Sequence, residues 1–167
     1  IFFISMTFLK VSYGIEYDLP AIEKKCTGGD LQSCYKLGSH YYWGEVVSVD
    51  LDKAEVLFKK ACDGGVGESC YMLGNLYKDD RKNVNKAFDY YSKACNYENS
   101  ASCSTLAAMY YDGVGFQKDI KKAAELYQKA CDISGNFSKA YSCVRVGQMH
   151  QKGDGIPCLL YTSDAAD

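Results

Sequence analysis

Proline is nearly absent from this chain: two residues stand among 167. Proline removes a backbone donor and breaks helix interiors, so its scarcity, beside abundant Ala, Lys and Tyr, fits a chain that is helical throughout. An excess of positive charge is missing too. Nineteen Lys and Arg face 21 Asp and Glu, for a net charge of −2. The lysines are spread along the chain rather than clustered, which leaves no electrostatic footprint for nucleic acid. Long apolar runs are also lacking. The apolar stretch Ile1 to Leu9 is far short of the roughly 20 residues that a bilayer span needs. Histidine is limited to His40 and His150, and no Asp/Glu pair recurs with either, so no acid–base centre is written here. Ligand sets of the zinc kind are missing as well. Structural zinc favours ligands two to four residues apart with four converging, and the cysteines here lie in pairs far from other pairs.

What is abundant is cysteine, at nine residues. Eight of them recur as Cys26/Cys34, Cys62/Cys70, Cys95/Cys103 and Cys131/Cys143. An even, regularly spaced set of this kind reads as a disulfide framework and implies an oxidising compartment. The cysteines also mark a repeat. Ser-Cys occurs at Ser33-Cys34, Ser69-Cys70, Ser102-Cys103 and Ser142-Cys143. An aliphatic residue follows three positions on (Leu37, Leu73, Leu106, Val146), then a small one (Gly38, Gly74, Ala107, Gly147), then a ring at Tyr41, Tyr77, Tyr110 and His150. A second helix should begin after the N-caps Asp50, Asn83 and Asp119, and should end Lys-Ala-Cys at Cys62, Cys95 and Cys131. In the third copy it should bury Ala123, Leu126, Tyr127 and Ala130 and put lysines outside. Neither helix of a pair could bury its apolar face alone, so the copies must stack.

The motifs Cys-x-x-Leu-Gly-x-x-Tyr, Gly-Val-Gly-x-x-Lys-Asp and Lys-Ala-Ala-x-x-Tyr-x-Lys-Ala-Cys resemble the Sel1-like repeat, a relative of the tetratricopeptide repeat. The resemblance spans roughly residues 18–157 and is greatest to the cysteine-rich secreted bacterial branch, whose repeats carry two cysteines eight apart. It implies an all-α, right-handed α/α superhelical solenoid of helix pairs stapled by disulfides. The pairs implied are Cys26–Cys34, Cys62–Cys70, Cys95–Cys103 and Cys131–Cys143. Two copies depart from the pattern. The second has Lys78-Asp-Asp-Arg81-Lys-Asn in place of the glycine loop, and the fourth has eleven residues between its cysteines.

The expected organisation follows. Residues 1–14 read as the remnant of a signal peptide, with Ser12-Tyr-Gly14 offering small residues before a cleavage point. Residues 15–26 form a capping half-repeat opened by Asp18 and Pro20, with Pro20 at the first helical position. Residues 27–62, 63–95 and 96–131 are repeats 1 to 3, and 132–157 a truncated repeat 4. Residues 158–167 abandon every column at once and read as a non-native tail, which removes the odd cysteine, Cys158.

Candidate chemistry is sparse. Ser33-Cys-Tyr-Lys36 matches the Ser-x-x-Lys nucleophile motif of serine β-lactamases and penicillin-binding proteins, an activity credited to some of the cysteine-rich branch. Its companion motifs are absent and its serine recurs in every copy, so the chain reads as a non-enzyme, with a β-lactamase-like hydrolase as the alternative. His150 sits in the tyrosine column and His40 on a partly buried flank, so both read as structural. No catalytic residue, metal or cofactor is expected. The surface that varies is on the first helix of each pair, at the positions two, five and nine after the cysteine. These are Lys36, Met72, Thr105 and Arg145; Ser39, Asn75 and Gln148; and Trp43, Asp79 and Asp112. By the 100° rule they point away from the core, and in tetratricopeptide-like arrays such helices line the concave face. The expected function is a secreted or periplasmic bacterial scaffold, monomeric, binding a protein, peptide or cell-wall fragment in that groove.

Overall fold

Capping side chains set where helices begin. Asp50, Asn83 and Asp119 accept from the backbone N–H of Lys53, Lys86 and Lys122 at 3.0, 3.1 and 2.9 Å. Each satisfies one of the donors that a helix start leaves open. Asp18, Asp30 and Asn99 do the same at other helix starts. In this computed structural model, which describes residues 18–115, 117–133 and 137–154, the result is all-helical. The elements are α1 (Leu19–Thr27), α2 (Leu31–Trp43), α3 (Leu51–Asp63), α4 (Gly67–Asn75), a π-helical turn (Leu76–Asp80), α5 (Val84–Asn96), α6 (Ser100–Asp112), α7 (Ile120–Asp132) and α8 (Phe137–Lys152). Pro20 is the second residue of α1, one place later than its sequence suggests. The signal-peptide stretch, the cleavage point and Cys158 lie outside the described residues.

The chain divides into two compact units between Val66 and Gly67. In the first, α1 packs on α2 and α2 on α3. In the second, α4 pairs with α5, α6 with α7, and α8 packs on α7. Within a pair the connection is closed by one recurring hydrogen bond. The N–H of the N-cap residue donates to the carbonyl of the ring residue in the last turn of the first helix or, in the second copy, in the π-helical turn. The pairs are Asp50 to Tyr41 (2.9 Å), Asn83 to Tyr77 (2.7 Å) and Asp119 to Tyr110 (2.9 Å). In the first and third copies the helix ends on Gly44 and Gly113 at φ 69° and 76°, the left-handed cap that glycine adopts without strain. The second copy, three residues shorter, reaches the same bond by the π-helical turn, in which Arg81 N–H donates to the Leu76 carbonyl.

Disulfides join helix ends to helix starts. Cys26–Cys34, Cys95–Cys103 and Cys131–Cys143 are bonded at Cα separations of 4.6, 4.8 and 4.9 Å, and Cys62 and Cys70 are disulfide-bonded too. Each small loop closed contributes roughly 2–3 kcal/mol through the unfolded chain.

Packing explains the columns. A Cβ on Gly38 would lie 2.8 Å from Phe58 Cδ1, and one on Gly74 would lie 2.3 Å from Tyr91 Cε1. The small position lets the ring of the paired helix lie against the backbone. That ring column, Phe58, Tyr91 and Tyr127, is at most 1% exposed. The core is wider than one amphipathic stripe. His40, Leu76, Met109 and Met149, expected on a partly buried flank, are all buried, whereas Tyr41, Tyr110 and His150 are only half-buried. A first helix is covered by its own partner and by a neighbouring helix, as α6 is by α7 and α5, so two sides of it leave water. Leu126, expected in the core, is half-buried, and Ala124 takes a fully buried place instead.

Candidate functional site

The serine before two of the cysteines belongs to a helix cap, whereas Ser142, inside α8, meets the hydroxyl of Ser104. Ser33 Oγ, buried, donates to Asp30 Oδ2 at 2.6 Å, and Ser102 Oγ donates to Asn99 Oδ1 at 2.9 Å. The Ser33 hydrogen bond holds the Asp30 carboxyl below the usual carboxylate range. Ser69 has the same place as Ser33 and Ser102, but Val66 stands where those two have Asp30 and Asn99, and its buried hydroxyl has no hydrogen-bond partner among the described residues. The Ser-x-x-Lys match therefore joins a buried capping serine to an exposed lysine, Lys36. His40 is buried as well. Burial pushes its imidazole below the ordinary histidine value, against the opposing pull of Glu45.

In the first unit, Lys36, Ser39 and Trp43 fall three and four residues apart on α2, hence on one face. Lys36 is exposed, and Ser39 Oγ donates back to the Tyr35 carbonyl at 3.0 Å. Trp43 is 60% exposed and meets Tyr42 edge-on, with ring centroids 4.7 Å apart. Tyr42 in turn lies 6.1 Å from Phe58, so the exposed indole is the outer end of a line of rings rooted in the core.

In the second unit the expected positions have separate fates. Met72 is buried at 7% exposure, a correction to its place on an open surface. The buried arc of α4, packed on α5, takes in Ser69, Cys70, Met72, Leu73 and Gly74 and is wider than one apolar stripe. Asn75 is half-buried, and its Oδ1 accepts from the Tyr91 hydroxyl at 2.8 Å. Thr105 Oγ1 donates to the Ala101 carbonyl at 2.9 Å. Asp79 lies in the π-helical turn, exposed, 3.7 Å from Lys78 Nζ, and Asp112 is exposed at the end of α6.

Arg145 and Gln148 come together on α8, where Arg145 Nη1 donates to Gln148 Oε1 at 3.4 Å. The Arg145 guanidinium lies over two rings, 5.0 Å from the Tyr111 centroid and 5.4 Å from that of Tyr127. Burial works against the arginine charge, but Tyr127, Tyr141 and Tyr111 together outweigh it and raise the guanidinium further above the ordinary arginine value. Burial, with Tyr141 behind it, pushes the Tyr127 hydroxyl up to about 12. Arg145 Nε is buried without a hydrogen-bond partner, and no carboxylate pairs with this guanidinium among the described residues. The result is a positioned cation, held by aromatic rings and unneutralised. Sequence reasoning found Arg145 and Gln148 but not Tyr111 and Tyr141, because the tyrosines read as repeat core. Tyr141, four residues before Arg145 on α8, was within reach of helical spacing, whereas nothing in the sequence spacing brings Tyr111 of α6 to Arg145.

Among the described residues no helix is long and apolar enough to cross a membrane, and no group of three His, Cys, Asp or Glu could hold a metal ion.

Known proteins match this architecture. The Sel1 repeat model matches residues 31–66, 67–96, 100–133 and 140–157. Cytochrome c oxidase assembly factor 7 of Xenopus tropicalis is 36% identical over 135 residues, which take in 75% of this chain and 57% of that protein. The chain thus spans little more than half the length of that relative. Among solved structures, cysteine rich protein B of Helicobacter pylori is 27% identical with a TM-score of 0.57, over 74% of this chain and 90% of that one. A protective antigen of uropathogenic Escherichia coli strains displaying an SLR fold has a TM-score of 0.75 at 24% identity, over 84% of this chain and 30% of its own. At that identity the likeness shows the fold alone.

Proposed function

The chain belongs to the Sel1 repeat family, and on that premise we propose that it is a binding scaffold holding a carboxylate-bearing segment of a protein partner at Arg145. The observation that carries this reading is the unneutralised guanidinium fixed against Tyr111 and Tyr127. A guanidinium offers paired donors that fit a carboxylate in two parallel hydrogen bonds, and one already held by rings loses little freedom on binding. Trp43 supports the same reading for the first unit, since an exposed tryptophan is a frequent interface anchor. The curated relatives are named as assembly factors, which supports a role in bringing proteins together rather than transforming a small molecule. The bridges support an oxidising compartment as the place of work, of which the secreted or periplasmic space is the one proposed. Nothing favours the hydrolase alternative, because the Ser33 hydroxyl is committed to Asp30.

The test is a pull-down on the oxidised chain, with captured proteins identified by mass spectrometry. Affinity for the captured partner is then measured for Arg145→Ala and Trp43→Ala. Arg145→Ala should weaken binding by about 2 kcal/mol while the helical signal and bridges persist. A partner peptide and a soluble cell-wall fragment share the carboxylate chemistry, so both are titrated. Equal affinity of wild type and both variants for every captured species sinks the reading.

A further inference from the structure

A second surface lies on the side of the second unit where α5, α6 and α7 meet. It is a groove of about 290 Å³. Leu106 and Tyr110 of α6 form its floor, Phe88 of α5 one wall and Leu126 of α7 the other. Phe88 and Tyr110 meet edge-on with centroids 5.6 Å apart. Lys122 and Lys129 of α7 line it as well, both exposed. Their ammonium groups have no ion pair, hydrogen bond or ring partner among the described residues, and no carboxylate is among the groove's lining residues.

The same two lysine columns in the first unit are engaged internally. Lys53 pairs with Asp50 at 3.3 Å and lies 5.1 Å from the Tyr41 ring centroid, and Lys60 Nζ donates to the Cys26 carbonyl at 2.8 Å. In the third repeat, Phe88 occupies the Tyr110 ring edge, and both cations are left at the rim of an apolar channel.

We propose that this groove is a docking site for an amphipathic helix of a partner protein, bearing two carboxylates seven residues apart with an apolar side chain between them. Charge complementarity names the carboxylates. The spacing names the helix: Lys122 and Lys129 are two turns apart on α7, about 10.5 Å, and a docked helix repeats that distance at i and i+7. The apolar side chain at i+3 or i+4 falls on the same face and enters the channel between Phe88 and Leu126. The site is separate from Arg145 and stands without the carboxylate reading made there.

The probe is a fluorescein-labelled, hydrocarbon-stapled 15-residue peptide with Glu at i and i+7 and Leu at i+3 and i+4. It is titrated against the oxidised chain by anisotropy. Binding is expected, with a loss of about tenfold for Lys122→Glu/Lys129→Glu and a smaller loss for the milder Lys122→Gln/Lys129→Gln. The Gln-for-Glu peptide should bind more weakly than the Glu peptide, and Lys152→Gln, an exposed lysine of α8 outside the groove, should bind the probe as wild type does. Bridge mapping and circular dichroism confirm that each variant is folded. No binding of the probe, equal binding of the Gln peptide, or indifference to both double substitutions overturns the proposal. So does lysine-dependent binding of phosphatidylglycerol vesicles in place of the peptide, which would make the groove a lipid surface.

Discussion

Repeats 1 and 3 are written on one template and end up as different surfaces. Both have a small residue under a ring, an N-cap acid three residues before a lysine, and a second lysine seven residues further on. In repeat 1 the ring is Phe58 and the small residue Gly38, and Lys53 and Lys60 are tied into the structure. In repeat 3 the ring is Tyr127 and the small residue Ala107, and Lys122 and Lys129 face a groove. The lesson is that a repeat column fixes a backbone place and leaves the side chain's partners to the neighbours. Whether a lysine is tied down or left open depends on what the adjacent helix offers: a carbonyl with room for a further donor at the end of α1, an aromatic wall on α5.

The comparison breaks first at the small residue. Gly38→Ala should destabilise by about 2–3 kcal/mol, because the new Cβ would stand under 3 Å from the Phe58 ring in a core with no room to give. Ala107→Gly in repeat 3 should cost only about 1 kcal/mol, the helix-propensity difference. Thermal denaturation of the two variants measures both. Equal costs would show that the column is not set by ring packing.

The ring itself sharpens the comparison at high pH. Tyr127 is held neutral up to about 12, against 10.0 for an ordinary tyrosine. A raised folded value means that the unfolded chain loses this proton first. The stability it contributes is whole below pH 10 and lost as pH rises from 10 to 12. Tyr127→Phe should flatten that limb of the stability curve and leave neutral stability little changed, whereas Phe58→Tyr should create no such limb unless its new hydroxyl is buried without a partner. Denaturant titrations across the range read the difference.

The smallest effect is expected at the lysines. Lys60→Met removes the donor at the Cys26 carbonyl and should cost roughly 0.5–1 kcal/mol, the worth of a cation at a helix C-terminus. Lys129→Met should be within about 0.5 kcal/mol of neutral. A larger loss at Lys129 would mean that it too is tied down, and would count against the groove.

The bulk of this architecture was legible in the sequence because cap, cysteine and small-residue columns each encode a local rule. Asp50, Asn83 and Asp119 announce helix starts by themselves, and the cysteine pairs announce the junctions. Met72 and the column of His40, Leu76, Met109 and Met149 were misplaced for one physical reason. A helical wheel allots one narrow covered side, whereas α2 and α6 are covered on two and the buried arc of α4 runs through Ser69, Cys70, Met72, Leu73 and Gly74. The setting of Arg145 was only half legible. The cation was found by its variation within a column, but the rings that hold it, Tyr111 and Tyr127, come from α6 and α7, and no column records that meeting. The groove at Lys122 and Lys129 was not legible, since lysines outside a helix are also what any solvated face presents.

The hydrogen bond from Asp119 N–H to the Tyr110 carbonyl closes the α6–α7 connection without a covalent staple, and no bridge described here encloses it. A single backbone cut between Val114 and Gly115 would therefore yield two separable pieces, each keeping its own bridges intact, Cys26–Cys34 and Cys95–Cys103 among those of one and Cys131–Cys143 in the other. A cut at Glu98, inside the Cys95–Cys103 loop, would leave the halves tethered. The chain is thus divisible at its helix-pair loops and indivisible at its repeat junctions. That makes the exposed Val114–Gly115 link the natural point at which to split it into reassociating fragments.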